Sequence, residues 1–76
     1  MGGYQISYED FEVYVQNQAL MAKREREKAK EKYATPRKVA LYIGSAEGRE
    51  EAVFEFAKYL GAPENEVKKI WEEASA

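Results

Sequence analysis

The 76-residue chain has no cysteine and no histidine. That excludes a disulfide framework and zinc sites built on thiolate or imidazole. It also removes the commonest general base and the commonest strong nucleophile, so an enzymatic role is not expected. No glycine-rich phosphate loop is present: "GSAEG" at 44–48 lacks the Walker lysine and follows no clear strand. Long apolar runs are missing too, and the longest, such as "VALYI", is far too short to span a bilayer. The N-terminus has no basic segment leading into an apolar stretch, so no signal peptide is expected. Proline occurs only at Pro36 and Pro63, which leaves few places where a helix must break. No cofactor or metal is implied, and the expected location is the cytoplasm.

What is present suits a small packed helical domain spanning residues 1–76. Hydrophobic residues make up 45% of the chain and aromatics 13%, too much for a disordered segment. A chain this short buries only about 60% of its unfolded surface, so its core must be economical. Net charge is −2 but unevenly spread. Residues 1–22 carry −3, residues 23–38 carry +5 and residues 39–76 carry −4, which makes a basic band between acidic ends.

Helix signals recur along the chain. Ser7 with Asp10 resembles a capping box, and Phe11, Val15, Ala19 and Ala22 keep helical spacing. The spacing predicts a long helix over about 8–33. The alternation of Tyr4, Ile6 and Tyr8, then of Phe11, Val13 and Val15, also fits a hairpin. Glu9-Asp10 would be a poor two-residue turn for one, so the helix is preferred. Thr35-Pro36 reads as N-cap and N1, and Gly44 as a stop, giving a short helix at 36–43. Val39, Leu41 and Ile43 alternate as well, which leaves a strand open there. Ser45 can cap a helix over about 46–60 with Val53, Phe56, Ala57 and Leu60 buried, ending at Gly61. Pro63 opens the last helix, about 63–74, whose stripe is Val67, Ile70, Trp71 and Ala74.

"FAKYLGAPENEVKKIW" (56–71) places Ala57, Gly61 and Val67 four and then six residues apart. Only Gly61 and Ala62 lie between Leu60 and Pro63, so the two helices must meet at a steep corner. Ala57 is small enough for close approach, Gly61 tolerates positive φ, and Val67 wedges back. With the apolar Phe56, Leu60, Ala62 and Ile70, residues 53–72 resemble the helix-turn-helix superfamily of DNA-binding domains. The resemblance implies an all-α, tri-helical fold preceded by the long N-terminal helix. It also implies a second helix lying in the major groove and reading bases with Glu64, Asn65, Lys68 and Lys69. That helix departs from the family in carrying four glutamates against two lysines, which opposes docking on phosphate.

The basic band is the better phosphate contact. Arg24–Lys28, Arg26–Lys30 and Lys28–Lys32 are like-charge pairs at i,i+4, each costing a few tenths of a kcal/mol in an isolated helix. With Arg37 and Lys38 they form a ridge that an anionic partner would stabilise. Arg24, Lys28, Arg37 and Lys38 are therefore the expected nucleic-acid contacts. The crowded aromatics of the first fifteen residues suggest self-association, with Tyr8, Phe11 and Val15 at a homodimer interface. Two functions fit: a small DNA-associated regulator, or an inhibitor or adaptor that uses the same helices on a protein partner.

Overall fold

The computed structural model describes residues 7–76, so Tyr4 and Ile6, part of the hairpin alternative, lie outside the described residues. Among the described residues the fold is all-α, in three helices: α1 (Tyr8–Ala29), α2 (Pro36–Leu60) and α3 (Glu64–Ser75). Each start has a local cause. The Ser7 hydroxyl accepts from the Asp10 N–H at 3.1 Å, and Glu9 and Asp10 face the positive end of α1. Thr35 accepts from the Lys38 N–H at 3.2 Å, with Pro36 just inside α2. α3 has no side-chain cap; Glu64 and Glu66 supply the favourable charge in its first turn.

α1 stops at Ala29, four residues short of the expected end. Beyond Ala29 no apolar side chain anchors the helix, and the like-charge pairs oppose extending it. The chain instead turns through 30–35, with the Ala34 N–H donating to the Glu31 carbonyl at 3.1 Å.

The larger correction concerns α2. The helices expected at 36–43 and 46–60 are one 25-residue helix, and no strand forms at 39–43. Gly44 is not a stop, and Ser45 is not a cap. Val39, Tyr42, Ala46, Val53 and Ala57 keep one face turned inward across the glycines, so packing overrides the weak propensity of Gly44 and Gly48. Neither glycine has a heavy atom within 4 Å of where a Cβ would stand, and neither has positive φ. Gly44→Ala and Gly48→Ala should therefore each stabilise the fold by about 0.5–1 kcal/mol. Urea unfolding at low micromolar protein checks this, and a loss of stability in either variant would mean that the helix does not run through.

The corner at Gly61 forms as expected. Gly61 has φ 78° and ψ 18°; its N–H donates to the Lys58 carbonyl at 3.1 Å, and the Ala62 N–H to that of Ala57 at 2.9 Å. This paired arrangement satisfies two carbonyls that the helix end would leave open.

α1 and α2 run antiparallel, since Tyr14 meets Phe56, Gln18 meets Arg49 and Lys28 meets Tyr42. α3 turns back at Gly61 and climbs beside α1, until Lys23 Nζ donates to the Ala76 carbonyl at 2.8 Å. The core is Phe11, Val15, Ala19 and Ala22 from α1, Ala46, Val53 and Ala57 from α2, and Val67 and Trp71 from α3. No residue between Ala22 and Ala46 is buried. The molecule, 50 × 25 × 17 Å, is thus a three-helix body from which a two-helix tip projects without a core of its own.

Candidate nucleic-acid interface

Folding the chain back at 30–35 converts the basic band of the sequence into one end of the molecule. Arg24, Arg26, Lys28, Lys30, Lys32, Arg37 and Lys38 are all exposed there. Arg26 is shared with Glu50, at 3.6 Å. Lys28 lies over the Tyr42 ring at 5.9 Å, and Lys32 over Tyr33 at 5.8 Å, contacts that orient an ammonium without neutralising it. Arg24, Lys30, Arg37 and Lys38 make no ion pair among the described residues.

The tip is held to the body by a polar lock. Glu25 accepts from the Ser45 hydroxyl and from Arg49 Nε at 2.6 Å. Arg49 Nη1 also donates to Gln18 at 3.0 Å and to the Met21 sulfur at 3.6 Å. The Arg49 and Glu25 side chains are only 28% and 17% exposed, and the core beneath is alanine, so one arginine of α2 reaches three partners on α1. The Ser45 hydroxyl first, and then Arg49, hold the Glu25 carboxyl below its ordinary range, with Lys28 adding to this and partial burial opposing it. Glu25 is thus the one tip carboxylate neutralised from the body side. Glu27 and Glu31 remain exposed against the seven cations.

Of the residues expected to contact nucleic acid, Arg24, Lys28, Arg37 and Lys38 all lie exposed at the tip end of the molecule. Glu64, Asn65, Lys68 and Lys69 do not join them. All four are exposed near the start of α3, where the neighbours Glu51, Glu55 and Glu72 outnumber Lys58. Lys30 and Lys32 complete the tip because they sit in the turn. A helix drawn through 33 would have strung them along α1, and the like-charge spacing around them was the signal that it ends sooner.

The self-association surface expected at Tyr8, Phe11 and Val15 needs correction. Only Tyr8 is exposed; Phe11 and Val15 are buried within the single chain. Phe11 stands against Phe56, with ring centroids 6.2 Å apart, and Tyr14 meets the same ring edge-on at 5.6 Å. Leu60, expected in the core, is 39% exposed, and Leu41 is 64% exposed.

Among the described residues no helix is long and apolar enough to cross a membrane, and no cluster of acidic residues is arranged to hold a metal ion. No protein-family model matches the chain, and neither does any curated protein or solved structure.

Proposed function

We propose that this chain is a small, non-enzymatic, DNA-associated regulator of the cytoplasm that grips the phosphate backbone with its hairpin tip. The supporting observation is the gathering of seven exposed Lys and Arg side chains on a projecting, core-free pair of helices. Two packed helices are about 20 Å across, too wide for a major groove about 12 Å wide. The tip therefore lies across phosphates rather than inside the groove, and it binds with little sequence preference. α3 carries the corner that resembles a helix-turn-helix, but its acidic surroundings make it a poor reader of bases. In this reading Glu64, Asn65, Lys68 and Lys69 do not set the affinity.

Anisotropy titration of a labelled duplex over a salt series tests this. Replacing Arg24, Lys28, Arg37 and Lys38 with Ala should lower affinity and flatten the dependence of log affinity on log salt, by up to about 0.9 for each phosphate no longer neutralised. Asn65→Ala with Lys68→Ala should leave affinity and sequence preference unchanged. A shift of about 1–3 kcal/mol between duplex sequences in that variant would move the interface to α3. Absence of duplex binding at low salt would remove the DNA reading. It would leave a protein-interaction module whose basic tip meets an acidic partner.

A further inference from the structure

Among the described residues the outward face of α2 has no partner, and its charges identify what fits it. Arg37, Leu41, Gly44, Gly48, Ala52, Glu55 and Tyr59 follow one another at intervals of three or four residues, so they line one side of the helix. All seven are exposed, and they lie opposite the inward row of Ala46, Val53 and Ala57. Leu41 is 64% exposed and Tyr59 86%.

This face is cationic at its start, with Arg37, and net anionic towards its end, where Glu51 and Glu55 outnumber Lys58. Arg37 and Glu55 stand nine residues before and nine after position 46, about 13.5 Å either way along the axis. A two-fold axis through that midpoint lays a second copy antiparallel on the first. Arg37 of each copy then faces Glu55 of the other, Gly44 faces Gly48, and Leu41 falls level with Glu51, beside Ala52. Parallel pairing would set Arg37 against Arg37 and Glu55 against Glu55, so the charges select the antiparallel arrangement. The glycines only decide how near the copies come: with no side chain at the crossing, the helix axes can approach to the lower end of the usual 8–10 Å. The whole molecule has the same polarity, so the basic tip of one copy lies along the acidic body of the other.

We propose that the outward face of α2 is a homodimer interface in which two copies pack antiparallel around Gly44 and Gly48, joined by two Arg37–Glu55 pairs. The interface is isologous, each copy offering the same surface. It replaces the Tyr8, Phe11 and Val15 region as the place of self-association. It does not depend on the DNA reading. Arg37 belongs to both surfaces, while Arg24, Lys28 and Lys38 lie off this face of α2.

Light scattering and sedimentation equilibrium without nucleic acid, from low to high micromolar protein, test the proposal, with circular dichroism to confirm that each variant is folded. The chain should dimerise. Arg37→Glu and Glu55→Arg should each weaken the dimer by about tenfold or more, because both symmetric pairs become repulsive at once. The double variant Arg37→Glu/Glu55→Arg should recover dimerisation, since the pairs are then restored with reversed sign. Gly44→Leu should abolish the dimer in a chain that remains helical. A monomer at every concentration would overturn the proposal. So would a dimer indifferent to the single reversals, or single variants that the double reversal does not rescue.

Discussion

Trp71→Ala should lower the free energy of unfolding by about 3–5 kcal/mol, the usual range for removing a large aromatic from a core. A chain of this length has a total stability of about 4–11 kcal/mol, so the variant should lose a large share of it. Trp71 is only 6% exposed, and its ring lies 6.5 Å from that of Phe54 at an interplanar angle of 52°. It is the larger of the two buried side chains that attach α3 to the rest of the molecule, the other being Val67. Without it α3 loses its main anchor, and Ala19 and Ala22 of α1 and Phe54 of α2 lose a neighbour. Urea and thermal unfolding followed by far-ultraviolet circular dichroism measure this without needing the missing indole. The melting temperature should fall by more than about 12 °C, at about 4–8 °C per kcal/mol for a domain of this size. Tyr33→Ala, at a side chain 88% exposed in the turn, is the control and should change stability by less than about 0.5 kcal/mol. A Trp71→Ala cost below about 1 kcal/mol would show that α3 is not docked as described.

Phe11→Asp is the second large effect, and its sign separates two accounts of the N-terminal aromatics. If Phe11 lined a dimer interface, the new carboxylate would yield a folded monomer. In the structure Phe11 is 5% exposed and rests on Phe56, so the substitution removes a core ring and places a charge among apolar side chains. Losing the ring alone costs about 3–5 kcal/mol, and burying an unpaired carboxylate adds several more unless it protonates. The expected result is loss of the cooperative thermal transition at low micromolar concentration, where association has no part. Tyr8→Asp, at a side chain 59% exposed, should keep the transition. A Phe11→Asp protein that melted like the parent chain and differed only in mass would return the interface to α1.

Features that depend on a few neighbouring residues were legible in the sequence. Phe11, Val15, Ala19 and Ala22 are spaced for one face of a helix, and all four are buried. Ser7 and Thr35 cap because a hydroxyl before a helix has an N–H within reach whatever the rest of the chain does. Gly61 takes a left-handed conformation because the corner before Pro63 demands one, and Trp71 shares a stripe with Val67 that has nowhere to face but inward. Gly44 carries the same residue type as Gly61 with the opposite outcome. A glycine ends a helix only when nothing beyond it has to stay in line. At Gly61 the inward face of α2 is complete, whereas at Gly44 the row that must meet α1 has still to reach Ala46, Val53 and Ala57. Which applies depends on a partner helix some twenty residues earlier, and no local pattern contains that. The same holds for Phe11, whose cover is a ring from position 56, and for the basic residues. Their sign and number were plain in the sequence. Only the turn at 30–35, set by where α1 runs out of surface to pack on, brings Arg24 and Lys38 to one end of the molecule and leaves Lys68 and Lys69 among glutamates on the body.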